Sequence, residues 1–161
     1  MVHTIIKTTV SAALLVTAMA SFAGHLNVSK EVTVNASPDT TWKMIGDFNH
    51  LDVWHPVVVN STSTDNNTLR VLTLGNGATI TEKEVSRDDA NRSYTYEIKE
   101  SPLPVSGYVS TISVTPAADG KATVKWTSSF DAKDASDEDA VNAIAGVYDA
   151  GLNNLDKHFN K

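Results

Sequence analysis

The chain has 161 residues, a formal net charge of −6 and no cysteine. This length suits a single domain with its own hydrophobic core. The absence of cysteine excludes disulfide bonds, thiolate catalysis and thiolate zinc sites. The acidic balance argues against nucleic-acid binding, which needs clustered Lys and Arg side chains to neutralise phosphates.

Residues 1–23 are typical of a secretory signal peptide. Lys7 gives a positive start, and the apolar run Val10–Met19 follows it. This run is too short for a membrane span, which needs about 20 apolar residues. Small residues mark two candidate cleavage points, after Ala20 and after Ala23. We therefore expect a periplasmic or secreted protein with no membrane span after cleavage.

The mature domain, residues 24–161, opens with one strand and two short helical segments. Leu26–Val34 alternates apolar and polar residues, as a strand with one buried face does. Ser37 is an N-cap residue followed by proline at the first helical position. A second helical turn over Asn49–Trp54 is expected to end before Pro56, because the residue preceding a proline avoids the α region.

Six further strands follow, separated by turns rich in Gly, Asn, Asp and Pro. The predicted strands are Val57–Thr62, Leu69–Leu74, Ala78–Val85, Ser93–Lys99, Tyr108–Thr115 and Thr123–Phe130. Short strands at this spacing indicate an antiparallel meander. Ile80 and Val85 have opposite parity within one strand, and a bulge near the glycine-rich turn at Gly75–Gly77 would reconcile them.

The C-terminal segment is predicted to form an amphipathic helix of about 20 residues. Ser136 or Asp137 caps it. Its apolar residues recur at three- and four-residue steps, at Val141, Ile144, Tyr148, Leu152, Leu155 and Phe159. Gly146 and Gly151 within it either permit close approach to the sheet or are merely tolerated. Because the sheet needs a cover, this helix is expected to pack across it, over either a ligand cavity or a filled interior.

Short motifs follow one another in a fixed order along the mature chain. They are Trp42-x-x-Ile45-Gly46-Asp47-Phe48, Trp54-His55-Pro56, Leu69–Leu74 with Gly77 and Glu82, Tyr94-x-Tyr96, Ser101–Val105 with Tyr108, and Val124-x-Trp126 with Phe130. Together they resemble the polyketide cyclase/dehydrase-like (SRPBCC) branch of the START-like, helix-grip superfamily. With the signal peptide, the chain looks most like the exported MxaD-like members.

The resemblance implies an α+β helix-grip fold, in which a curved seven-stranded antiparallel sheet wraps around the long C-terminal helix. It also implies an internal pocket for an apolar or aromatic ligand, without implying catalysis. The ligand-binding residues predicted on this basis are Trp54, His55, Arg70, Leu72, Glu82, Tyr96, Leu103, Tyr108, Trp126 and Tyr148. The segment around Leu103, between two prolines, is a candidate lid.

Two of these positions have competing interpretations. His55 is either a hydrogen-bonding group or general base at the pocket mouth, or a structural residue that bonds a backbone carbonyl beside a packed Trp54. The structural interpretation is favoured. Arg70 and Glu82 form either an exposed cross-strand pair or a polar anchor for a ligand carboxylate or phenol.

Three functions are compatible with the sequence. The first is an exported protein that binds a small hydrophobic or aromatic ligand, or that assists a periplasmic oxidoreductase. The second is a cyclase or dehydratase with His55 or Glu82 as general base. The third is an interaction module with a filled interior and an acidic surface. We predict neither a metal site nor a cofactor, because the histidines do not cluster and no nucleotide-binding motif is present.

Overall fold

The computed structural model describes residues 25–161, so the predicted signal peptide lies outside the described residues. The strands are β1 (Leu26–Val34), β2 (Val58–Thr64), β3 (Leu69–Leu74), β4 (Thr79–Asp88), β5 (Ser93–Glu100), β6 (Val105–Pro116) and β7 (Ala122–Ala132). The helical elements are α1 (Pro38–Ile45), a 3₁₀ helix (Phe48–Val53), a 3₁₀ turn (Ala118–Gly120) and α2 (Asp137–Phe159). The order of elements is the one predicted from the sequence.

The seven strands form one antiparallel sheet in the order β1-β7-β6-β5-β4-β3-β2. Consecutive strands from β2 to β7 are neighbours, and β1 adds at the β7 edge. Irregularities in three of the strand pairs help the sheet to curve. Helix α2 packs against β1 and β7. The α+β helix-grip fold class is therefore confirmed.

Helix starts follow the capping residues in the sequence. The side chain of Ser37 accepts a hydrogen bond from the backbone N–H of Thr40 at the start of α1. At the start of α2, Ser136 accepts one from Asp139 in the same way, which decides between the two candidate caps. No helix among residues 25–161 combines the length and apolar character needed to cross a membrane.

Ile80 and Val85 cannot both face the core in a regular strand β4, and the structure accommodates them in a different way from the predicted one. Pairing of β3 with β4 is regular beside the glycine-rich turn. A register shift between Thr81 and Glu82 adds a residue to β5 and leaves the alternation of β4 unchanged, so the predicted bulge in β4 near the turn was wrong. The extra residue lies further along, between Glu84 and Ser86, where β4 has one residue more than β5. This residue is Val85, which is 53% exposed while Ile80 is buried.

Strand β6 begins three residues earlier than the sequence pattern indicates. Val105 and Ser106 already pair with β7, and a register shift follows before Val109. Gly107 lies at this bulge with φ +59°, a conformation that glycine adopts without strain. The two prolines therefore interrupt pairing only as far as Pro104, which places Leu103 close to the sheet.

Large aromatic side chains fill most of the space between the sheet and α2. The fully buried ones are Phe48, Trp54, Tyr94, Tyr96, Trp126, Phe130 and Tyr148. Trp126 and Tyr148 are stacked, with ring centroids 4.3 Å apart. Several of these buried rings carry a polar atom, and each such atom needs a partner.

Candidate functional site

An enclosed cavity of about 60 Å³ lies between the sheet, the 3₁₀ helix and α2. It is lined by Leu51, His55, Val57, Val58, Leu72, Leu74, Ile80, Glu82, Tyr96, Leu103, Trp126 and Val147. Its volume is enough for a few water molecules, whereas pockets for drug-sized ligands measure about 300–1,000 Å³. The cavity is therefore apolar, largely closed and small as it stands.

Two larger depressions open onto the surface. One, of about 530 Å³, lies beside α1 and includes Glu84 and Arg87. The other, of about 380 Å³, lies where β5 and β6 separate and includes Lys99 and Tyr108. Both are wide open to solvent and carry charged side chains. The enclosed apolar cavity, with few polar groups on its wall, fits a small-molecule site better.

His55 is held against α2 by its ring. Its Nε2 lies 2.9 Å from the carbonyl oxygen of Val147, and the side chain is almost fully buried. Because a carbonyl oxygen only accepts, Nε2 carries the ring hydrogen. Burial lowers the pKa of His55 below its ordinary value, so the ring is neutral near pH 7. This carbonyl contact is the one that the structural interpretation expects.

Helix α2 approaches the cavity wall closely at Gly151. A Cβ atom at this position would lie 2.7 Å from Cδ2 of His55 and about 3 Å from the rings of Trp54 and Trp126. Nothing comparable surrounds Gly146, where a Cβ atom would meet no atom within 4 Å. Of the two interpretations for glycine in this helix, close approach applies to Gly151 and mere tolerance to Gly146.

Arg70 and Glu82 form a buried ion pair next to the cavity. They lie directly opposite each other on β3 and β4. Nε and Nη2 of Arg70 each lie 2.7 Å from Oε2 of Glu82, while Nη1 donates to the carbonyl oxygen of Phe48. Arg70 has no exposed surface and Glu82 is 5% exposed. The alternative of an exposed cross-strand pair was therefore wrong.

The environment of Glu82 opposes its ionisation in one respect and favours it in another. Burial raises the pKa of the Glu82 carboxyl above its ordinary value, and the Arg70 guanidinium acts against this rise. The guanidinium also lies over the Phe48 ring, 4.1 Å from its centroid. The pair is thus enclosed on several sides, and removal of either partner would leave a buried group without compensation.

Four hydroxyl groups and one indole N–H form a buried hydrogen-bond network next to the cavity. Its members are Tyr96, Tyr108, Ser110, Trp126 and Tyr148. The oxygens of Tyr108 and Tyr148 are 2.6 Å apart, and the indole N–H of Trp126 donates to both Tyr96 and Ser110. Burial raises the pKa of Tyr148 to about 12, so its hydroxyl stays protonated.

One contact fixes the direction of the hydroxyl hydrogen bonds in this network. Ser110 donates its only hydroxyl hydrogen to the carbonyl oxygen of Thr127, 2.8 Å away. Tyr148 must then donate to Ser110, Tyr108 to Tyr148, and Tyr96 to Tyr108. Each of the three tyrosines therefore donates its hydroxyl hydrogen to the next member of the network in the direction of Ser110.

The structure brings together six of the ten predicted ligand-binding residues. The cavity wall includes His55, Leu72, Glu82, Tyr96, Leu103 and Trp126. Trp54, Arg70 and Tyr148 are buried but do not line the cavity, and Tyr108 borders the separate depression between β5 and β6. The ligand-binding role of each of them stays a prediction.

Six aliphatic residues of the wall were missed by sequence reasoning. They are Leu51, Val57, Val58, Leu74, Ile80 and Val147. Strand alternation offered a signal for Leu74 and Ile80, since they share a strand face with Leu72 and Glu82 respectively. Val147 carried no signal, because it lies outside the apolar stripe of α2.

Leu103 forms a partition between the cavity and solvent. Its side chain lines the cavity, and it also borders a shallow surface depression with Pro102, Pro104 and Lys133. Its backbone N–H donates to Ser101 Oγ at 2.9 Å.

No group of three or more His, Asp or Glu side chains within the described part of the chain is arranged to hold a metal ion.

Comparisons with known proteins agree with this architecture. Solved structures with the same fold include XoxI from Bacillus cereus, with 34% identity, a TM-score of 0.82 and coverage of 84% of this chain and 96% of that one. An uncharacterised protein from Bacillus thuringiensis matches with 33% identity, a TM-score of 0.82 and coverage of 84% and 100%.

A more distant structure shares the fold alone. It is the Zhui aromatase/cyclase from Streptomyces sp. R1128, with 18% identity, a TM-score of 0.67 and coverage of 83% of this chain and 92% of that one. No curated protein matches the sequence significantly. The sequence model of one family, described as polyketide cyclase / dehydrase and lipid transport, matches residues 25–160. With nearly the whole described chain matched, this protein belongs to that family.

Proposed function

We propose that this protein is exported and binds a small apolar or aromatic molecule in the cavity beneath α2. The observation that carries the proposal is the enclosed apolar wall with three ionisable side chains, His55, Glu82 and Tyr96, on it. Apolar pockets with a few convergent polar groups and shifted pKa values are the usual form of ligand sites. Family membership supports the same class of function.

Binding of a ring-sized molecule requires the cavity to grow. Leu103 is the wall residue through which this can happen, because it separates the cavity from solvent. We expect its segment to move outward when a ligand enters. The free energy of that movement would reduce the apparent affinity, as it does whenever the binding-competent state is only partly populated.

The test is a titration of the purified protein with toluene, phenol and indole. We expect a rise in Tm that follows ligand concentration, together with NMR shifts at the methyl groups of Leu72, Ile80 and Leu103. A Leu74→Phe variant should fill the cavity and abolish the effect. Val59→Phe is the matched control, since Val59 is 61% exposed and does not line the cavity. A Tm that none of the three compounds raises would contradict the proposal.

A second candidate function is that of an interaction module that binds an exported oxidoreductase. It is supported by three exposed valines close together in sequence, Val53, Val57 and Val59, and by the small size of the cavity. The expected outcome is a stoichiometric complex that weakens when these valines are replaced by serine. Unchanged affinity in the triple variant would exclude these valines as the contact.

Catalysis by His55 or Glu82 is the third candidate and needs its own measurement. The atoms that would act are Nδ1 of His55 and Oε1 of Glu82, because Nε2 and Oε2 are already engaged. His55→Ala or Glu82→Gln would then abolish turnover of a cyclisation or dehydration substrate. Because Glu82→Gln also leaves Arg70 without its counter-charge, the loss counts as catalytic only in variant protein that circular dichroism shows to be folded.

A further inference from the structure

We propose that the cavity selects a neutral ligand that donates a hydrogen bond, an alcohol or a phenol, rather than a carboxylate. This inference rests on the proposed function and adds the chemical class of the ligand. Four side chains of the cavity wall carry polar atoms, those of His55, Glu82, Tyr96 and Trp126. Every polar atom that remains available on them is a hydrogen-bond acceptor.

Glu82 supplies the first acceptor. Both contacts from Arg70 converge on Oε2, and within residues 25–161 no group donates to Oε1. Nη1 of Arg70 is engaged by the carbonyl oxygen of Phe48, and Nη2, although it lies 2.7 Å from Oε2, makes no aligned hydrogen bond among the described residues. Arg70 does not line the cavity, so neither nitrogen faces a ligand there. The guanidinium therefore balances the charge of Glu82 but offers no donor to a ligand carboxylate.

His55 supplies the second acceptor. Its Nε2 donates to Val147, and its Cδ2 is the atom nearest to Gly151, so this edge of the ring faces α2. Nδ1 lies across the ring from that edge and has no hydrogen-bond partner among the described residues. Because the ring is neutral, Nδ1 carries a lone pair directed away from the helix.

Tyr96 and Trp126 have no hydrogen left for a ligand. The hydroxyl hydrogen of Tyr96 is committed to Tyr108 by the direction of the network. The indole N–H of Trp126 is shared between Tyr96 and Ser110. Trp54 has a buried N–H without a partner in the described part of the chain, but it does not line the cavity.

A ligand that enters this space therefore meets acceptors and no side-chain donor. A hydroxyl group can donate to Oε1 of Glu82 or Nδ1 of His55 while its apolar body contacts the aliphatic wall. A carboxylate would lose its hydration and gain no hydrogen bond, which is strongly unfavourable in an apolar site. A hydrocarbon of the same shape would bind but leave both acceptors unpaired.

Three probes of similar size test this order of preference: phenol, toluene and benzoate. Titrations of the purified protein, followed by NMR or calorimetry at neutral pH, should show phenol binding about tenfold more tightly than toluene. Benzoate should show no binding at the concentration that saturates with phenol. Equal affinities for phenol and toluene, or tighter binding of benzoate, would overturn this inference and leave the proposed function intact.

A matched pair of variants locates the effect. Glu82→Gln places an amide hydrogen where Oε1 stood, so the preference for phenol over toluene should decrease, and any preference that remains belongs to Nδ1 of His55. Glu84→Gln is the control, since Glu84 is on the same strand but lines the surface depression instead. If Glu82→Gln does not fold, the comparison of probes on the unaltered protein decides the question. If none of the three probes binds, the proposed function fails together with this inference.

Discussion

His55 links the stability of the fold to pH through a single buried ring. Its folded-state pKa lies below the ordinary value of 6.5, chiefly because burial disfavours the charged form, with a further effect from the nearby Arg70. The unfolded chain therefore binds a proton more readily than the folded chain in the interval below pH 6.5. The contribution to stability is complete above that pH and is lost as pH falls through the folded-state pKa.

We predict that the free energy of unfolding decreases below pH 6.5 and that His55→Gln flattens this decrease. Glutamine can still donate to the carbonyl oxygen of Val147 but does not titrate. The measurement is urea denaturation at a series of pH values between 5 and 8 for both proteins. His25→Gln is the control, because Asp131 raises the pKa of exposed His25 and any effect has the opposite sign. Parallel curves for the native protein and His55→Gln would refute the prediction.

The sequence predicted which residue types form the site, but it did not predict their burial or their hydrogen-bond partners. The alternation of β3 placed Arg70 on the same face as Leu72, and the hairpin placed Glu82 on the neighbouring strand. Neither observation indicates that both charges lie fully inside. The partner of His55 could not be predicted, because Val147 is 92 residues away on another element. Contacts of this kind depend on tertiary packing rather than on local pattern.

At the scale of elements, α2 contains two glycines with opposite physical roles. Both lower helix propensity by about 1 kcal/mol relative to alanine. Only Gly151 lies where an added Cβ atom would overlap neighbouring rings, at 2.7 Å from His55. In the sequence the two glycines look alike. In the packed structure, glycine is required at position 151 and is only tolerated at position 146.

We predict that Gly146→Ala stabilises the protein by up to about 1 kcal/mol, because it gains propensity in open space. Gly151→Ala should instead destabilise it by about 1–3 kcal/mol, because overpacking at the rings outweighs the same gain. Thermal and urea unfolding of the two variants, each compared with the native protein, provide the measurement. Stabilisation by Gly151→Ala would mean that α2 does not approach His55 and Trp54 this closely.

Most element boundaries could be predicted because their signals are local. The caps at Ser37 and Ser136, the turn at Gly75–Gly77 and the alternation of the strands all act within a few residues. The bulges at Val85 and Gly107 could not be placed, since a bulge is a property of two paired strands. The start of β6 at Val105 depends on the second of these bulges.

At the scale of the whole molecule, the order of elements was sufficient to predict the architecture. An antiparallel meander with one apolar face and one long amphipathic helix has few ways to bury both surfaces. The volume left inside could not be predicted in the same way. It depends on how Trp54, Trp126 and Tyr148 pack against Gly151, and periodicity identifies faces rather than the gaps between side chains.

Removal of the predicted signal peptide should leave this architecture complete. The first paired residue of the sheet is Leu26, opposite Phe130, and cleavage after either Ala20 or Ala23 preserves it. We predict that exported protein has the intact mass of a chain lacking its first 20 or 23 residues. Its Tm should equal that of a recombinant chain starting at residue 24, because every strand and helix described begins at or after Leu26.

The control for processing is a charge within the apolar run. Leu15→Arg breaks the apolar run of the predicted signal peptide, so the chain should stay in the cell at its full mass. The variant leaves every residue of the described fold unchanged, and any effect on location then belongs to the predicted signal peptide alone. Full-length protein in the exported fraction of the native chain would show that residues 1–23 are not cleaved. If the native chain instead stays in the cell at its full mass, as Leu15→Arg should, the proposal of export would have to be abandoned while the fold and the cavity remain as described.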